Sequence, residues 1–118
     1  MADPKTAPYG AAAMQVMQQR GVWQGLQGRL IQGESIAQTY QFVASGNAPM
    51  GFVALSQVMR NGRFVEGSAW QVPAHLHQAL RQDAVLLNPG QGQVAALAFL
   101  AYLRTEPARR VMRAVGYE

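Results

Sequence analysis

The chain has 118 residues and a mass of 12.8 kDa, room for one domain of ordinary size, and its 49% apolar content supports a real core. Only 14% of residues are charged, the formal net charge is +4, and nine of the ten basic residues are Arg, scattered from Arg20 to Arg113 without the like-charge run of a nucleic-acid arm. The absence of Cys excludes disulfides, thiol nucleophiles and thiolate metal sites, and no apolar run approaches the roughly 20 residues that span a bilayer. The longest candidate, residues 94–103, is a soluble helix by length. No basic stretch followed by an apolar one opens the chain, so no signal peptide is visible.

In chain order, Pro4, Pro8 and Gly10 mark residues 3–10 as an irregular loop. Residues 11–20 carry Ala13, Met14, Met17 and Arg20 at helical spacing, and Gly21 is a natural stop. Val22, Trp23 and Leu26 make a short apolar turn ended by Gly28, and residues 29–32 are a brief strand candidate. Ser35-Ile36-Ala37-Gln38 reads as a capping box opening a helix that runs to Gly46.

Asn47-Ala48-Pro49 breaks that helix, and residues 50–55 read as a buried strand. Residues 56–59 suit a helical turn before the loop Arg60-Asn61-Gly62-Arg63. Phe64 and Val65, then residues 69–72, offer short strands, and Pro73 starts a helix, where its missing amide costs nothing. Residues 84–87 form another strand candidate closed by Asn88-Pro89-Gly90. Two helices finish the chain, over 94–104 and 107–115. The second is capped by Thr105, stopped by Gly116, and striped by Ala108, Val111, Met112 and Val115. Helix, short connection and continuous apolar strand are the grammar of an α/β unit with a parallel sheet.

Catalysis finds no candidate set. Asp3 and Asp83 are the only aspartates, Ser35 and Ser56 have no local base, and neither a Walker loop nor a dinucleotide Gly fingerprint is present. His75 and His77 would face different ways on a helix; on a strand they would share a face but lack a third ligand nearby. They read as surface residues, with no metal site.

The two helix starts carry more. Ala7-Pro8-Tyr9-Gly10 opens the first helix and Glu34-Ser35-Ile36 the second, each exposing unpaired amides and the positive end of a helix dipole. If the strands leading into them are parallel neighbours, both starts lie on one sheet edge, where open α/β sheets bind ligands and amides suit a tetrahedral anion.

Asp3-Pro4-Lys5-Thr6-Ala7-Pro8-Tyr9-Gly10 followed by an Ala-rich helix resembles the second lobe of the periplasmic molybdate-binding proteins, the ModA family. So do Gly33-Glu34-Ser35-Ile36 with Thr39-Tyr40, and residues 46–56. The ending, residues 98–103 and then 106–117, is similar to that of many extracellular solute-binding proteins. The resemblance covers almost the whole chain, its specific part being the two helix starts.

The resemblance implies an α/β fold, the second lobe of a three-layer periplasmic-binding-protein architecture with a mostly parallel sheet, truncated on its N-terminal side. Residues 1–82 would be the oxyanion-binding lobe without its leading strand. Residues 83–118 would be a returning hinge strand and two helices that pack on an absent first lobe. The implied ligand is molybdate or tungstate, held without a cofactor by neutral donors. Backbone amides of Tyr9 and Ile36 would contact it, with Gly10 and Ser35 supporting the helix starts. Fixed donors without acceptors favour a fully deprotonated oxyanion over hydrogen phosphate, and size then separates molybdate from sulfate. Ala54 departs from members that place a Tyr hydroxyl there.

The resemblance further implies a non-enzymatic, periplasmic component that delivers its ion to the membrane permease of an ABC transporter. Loss of a lobe would leave apolar faces on the last two helices and promote self-association or strand exchange. A sulfate-type or other oxyanion receptor is the nearest alternative. A small nucleic-acid module, suggested by Arg109, Arg110 and Arg113, is a more distant one.

Overall fold

The computed structural model describes residues 1–65 and 67–117. Its first helix, α1 (Pro8–Gln19), starts three residues earlier than the apolar spacing alone indicates. Pro8 takes the first helical position, where its fixed φ suits the turn and its lack of an amide leaves nothing unsatisfied. Tyr9 and Gly10 therefore belong to the first turn. Arg20 and Gly21 close the helix: Gly21 adopts φ +70°, its amide donates to Gln18, and that of Val22 donates to Met17.

Gly10 is required by packing. A Cβ there would sit 2.4 Å from the Ala2 carbonyl oxygen, so only a glycine lets the extended residues 1–3 cross the first turn of α1. That segment pairs in parallel with residues 31–33. The Gly33 amide donates to Met1 (2.9 Å), the Asp3 amide to Gly33 (2.8 Å), and Ala2 and Gly33 form a parallel bridge. Met1 and Ala2 are buried, and Met1, Ala13 and Met17 nucleate the core, with Trp23, Leu30 and Phe52 packed against them.

A short helix α2 (Trp23–Leu26) and a 3-10 turn (Gln27–Arg29) lead to this bridge, and α3 (Ile36–Ala44) follows it. Ser35 caps α3 as its sequence indicates, its Oγ accepting the Gln38 amide at 3.2 Å. The reciprocal half of the box is displaced by one residue, because Gln38 Oε1 accepts the amide of Glu34 at 2.7 Å.

Residues 51–54 have no ladder partner among the described residues, and α4 (Leu55–Val58) begins within the expected strand. Among the described residues the only named strands are β1 (Met59–Arg60) and β2 (Arg63–Phe64), an antiparallel pair turning through Asn61 and Gly62, both at positive φ. The expected mostly parallel sheet is thus represented by one parallel bridge. Residues 69–72 and 84–87 also lack ladders among the described residues: an extended segment becomes a strand only when a neighbour takes up its amides and carbonyls. Pro73 precedes a 3-10 turn (Ala74–Leu76) rather than a longer helix, and a second such turn spans Asn88–Gly90.

The chain ends in α5 (Val94–Leu103) and α6 (Glu106–Ala114). Thr105 occupies the cap position of α6 without capping it; its hydroxyl donates back to the Tyr102 carbonyl at 2.7 Å. Ala108 is buried and Met112 and Val115 half-buried, whereas Val111, the fourth member of the expected stripe, is exposed. The C-terminal end of α6 docks on α4 and the β1–β2 turn, with the Gly62 amide donating to Ala114 (3.2 Å) and Ser56 Oγ lying 3.4 Å from Tyr117 Oη. α5 is different. It is apolar on every side and buries none of its residues, leaving Val94, Leu97 and Phe99 exposed. The radius of gyration is 16.9 Å, against about 13.5 Å for a compact domain of this length, and the longest dimension is 52 Å.

Candidate functional site

Asp3 organises the approach to α1. Its carbonyl accepts the amides of Thr6 and Ala7 and its carboxylate that of Lys5 at 2.9 Å, folding residues 3–7 into a tight turn. The Ala7 carbonyl then accepts the amides of Gly10 and Ala11. Between these, the Tyr9 amide has no acceptor among the described residues. Gly10, whose amide is engaged internally, serves through its close approach to Ala2.

At α3 the Gln38 amide is taken by Ser35 Oγ and the Thr39 amide by the Ser35 carbonyl, at 3.0 Å. The amides of Ile36 and Ala37 have no acceptor among the described residues. Thr39 is fully buried beneath this turn, and its hydroxyl also donates to the Ser35 carbonyl at 3.0 Å.

Tyr9 and Ile36 come together. Both border a recess of about 70 Å³ between α1, α3 and the extended residues 52–53, whose wall includes Val16, Phe52 and Val53. No Lys or Arg among the described residues borders it. Burial pushes the Tyr9 phenol above its ordinary pKa, and the neighbouring Tyr117 phenol adds to the rise. A larger groove of about 460 Å³, beside Asp3, Lys5, Trp23 and Gln32, touches neither Tyr9 nor Ile36.

Three residues near the recess carry no signal in the sequence. His77, read there as a surface residue, is half-buried and lines the recess, its Nδ1 lying 2.8 Å from the Gln78 carbonyl; His75 is exposed. Tyr117 reaches Tyr9 and Ser56 from the far end of the chain. Gln57 accepts the Ala54 amide through Oε1 at 2.9 Å and donates from Nε2 to the Ile36 carbonyl at 3.2 Å. Ala54 itself is buried, its amide committed to Gln57 and its methyl offering no donor. No group of three metal-ligating side chains occurs among the described residues. On α6, Arg113 spends its guanidinium on Glu106 of the same helix, which removes one of three arginines from a nucleic-acid face.

Comparison with known proteins bears out the resemblance. The chain is 50% identical over 117 residues to the molybdate-binding protein ModA of Azotobacter vinelandii, covering 99% of this chain and 46% of that protein. It is 51% identical over 118 residues to ModA of Rhodobacter capsulatus, covering 99% and 45%. The solved periplasmic molybdate-binding protein of Azotobacter vinelandii superposes with a TM-score of 0.91 at 32% identity, over 100% of this chain and 52% of that one. The chain therefore spans about half the length of the relatives it matches. A family model described as bacterial extracellular solute-binding protein matches residues 1–118, and the chain belongs to that family.

Proposed function

We propose that this chain is the oxyanion-holding second lobe of a molybdate receptor, serving a membrane permease of the ABC type in the periplasm. Relatives that carry the name molybdate-binding protein support the ligand class, and a periplasmic one supports the compartment. The observation that carries the reading is the meeting of Tyr9 and Ile36, both with amides unengaged among the described residues, at one recess bordered by no Lys or Arg among those residues. Neutral donors at two helix N-termini stabilise a dianion through fixed dipoles, and backbone amides, which only donate, give no partner to the proton of a protonated anion. Tungstate, of the same shape and charge, fits the same donors. Nothing in this chemistry calls for a nucleophile or a general base, so the role is capture and delivery rather than catalysis.

Residues 1–82 supply the amides in this reading. Residues 83–118 return toward a first lobe, whose closure over the ion would exclude water and raise affinity.

The test is an NMR titration of the 15N-labelled chain with sodium molybdate, sodium tungstate and sodium sulfate. Molybdate and tungstate are expected to shift the Tyr9 and Ile36 amides at lower concentration than sulfate does. A stronger response to sulfate overturns the molybdate assignment in favour of a sulfate-type receptor, and a response confined to other amides overturns the site.

A further inference from the structure

The N-terminal turn of α3 is held from outside the helix by one side chain. Gln57 lies on α4, yet its Nε2 donates to the Ile36 carbonyl at 3.2 Å while its Oε1 accepts the Ala54 amide at 2.9 Å. The two partners fix the orientation of the carboxamide, since an amide N–H can meet only the oxygen and a carbonyl only the NH₂. The preceding carbonyl, that of Ser35, is held by Thr39, whose backbone amide and hydroxyl both donate to it at 3.0 Å. Thr39 is locked in place: it is fully buried, and a Cβ on Gly33 would lie 2.9 Å from its hydroxyl oxygen.

In a trans peptide the N–H points opposite the C=O of the same plane. Holding the Ser35 carbonyl therefore aims the Ile36 amide, and holding the Ile36 carbonyl aims the Ala37 amide. These are the two donors of this turn that have no acceptor among the described residues.

We propose that Gln57 is a positioning residue for the oxyanion cradle: with Thr39 it fixes the two peptides flanking Ile36, so that Ala37 joins Ile36 as a donor. The proposal rests on the site reading above and adds to it a third amide and the side chain that aims it. Gln57 touches no ligand. Its contribution is to limit the reorientation that the Ile36–Ala37 peptide would undergo on binding.

The experiment is the molybdate titration repeated on Gln57→Met and Thr39→Val, each close in volume to the original. Gln57→Met is expected to raise the apparent Kd about threefold to tenfold, the worth of one hydrogen bond. It should also shrink the molybdate-induced shift of the Ala37 amide while leaving that of Tyr9 intact. Thr39→Val should act on the Ile36 amide instead. A general loss of structure would move Tyr9 as well, so this residue-specific split separates aiming from folding. Should Gln57→Met not fold, Gln57→Glu keeps the acceptor for Ala54 and drops only the donor to Ile36. Because its added charge weakens every anion contact, the ratio of the Ala37 to the Tyr9 response is read there, and it should fall. Wild-type amides that respond while Gln57→Met keeps both Kd and the Ala37 response overturn the positioning role alone. A wild type whose Ile36 amide ignores molybdate overturns the site reading and this inference with it.

Discussion

Gly116 stands against Leu55 so closely that a Cβ on it would lie 2.6 Å from the leucine Cγ, and its φ of +89° is one that side chains rarely adopt. Two functions meet in that glycine. It ends α6 with the amides of Gly116 and Tyr117 donating back to Arg113 and Met112, and it lets the helix end settle on α4. The same contact brings Tyr117 to Ser56 and Tyr9, so Tyr117 joins the surroundings of the first helix start.

Replacing Gly116 with Ala is expected to destabilise the fold by about 1–2 kcal/mol from the left-handed backbone alone, with the clash added. Denaturant unfolding measures the total. Pairing the change with Leu55→Ala should recover the steric part and leave the backbone part, so the double mutant is less damaged than the sum of the single changes. Strict additivity would mean that the two residues do not meet in solution.

Ser35→Ala removes the one side-chain cap of α3 and is expected to cost about 1 kcal/mol, typical of a lost N-cap. Its effect on binding should exceed that of a remote surface change of equal cost, because the first turn of α3 carries the Ile36 amide. Circular dichroism and the molybdate titration, read on the same sample, check both halves.

Much of this was legible in the residues. Ser35 announces a helix start by its chemistry, and Gly21, Gly46 and Gly116 announce helix ends, because those signals act within a turn of the chain and all three glycines adopt positive φ. Pro8 could have been read the same way, as a first helical residue, and taking it for part of a loop displaced the start of α1. The strands were not legible in this sense. Residues 50–55 and 84–87 have strand composition, but a ladder depends on a neighbour that composition does not supply. Gln57 and Tyr117 were invisible for a related reason. Each acts on Ile36 or Tyr9 across a long stretch of sequence, and neither residue type is diagnostic where it stands.

Tyr9 ties stability to alkaline pH. Its phenol is held above the ordinary value of 10.0, first by burial and then by the Tyr117 phenol, so the folded chain keeps that proton more tightly than the unfolded chain. The resulting contribution is constant below pH 10. It is lost as pH rises from there through the folded pKa, because the unfolded state ionises first. Tyr9→Phe should flatten this part of the alkaline unfolding profile while leaving the molybdate response of the residue 9 amide in place, since that donor belongs to the backbone. A Tyr9→Phe profile as steep as that of the wild type would place the titrating group elsewhere.

The apolar surface of α5 has its own consequence. Val94, Leu97 and Phe99 are exposed on a helix that is apolar on every side, and Val85, Leu87 and Val111 add further exposed apolar surface. Water is a poor solvent for such surface, at roughly 25 cal/mol per Å² of apolar area. The isolated chain should therefore associate with itself as concentration rises. Sedimentation velocity over a hundredfold concentration range is expected to show the mean mass increasing. Leu97→Glu with Phe99→Glu should return the chain to monomer without loss of helicity, because neither side chain is buried within the chain. Association that survives both charges would locate the contact elsewhere, at the unpaired extended segments 51–54 or 69–72, where strand exchange is the available route.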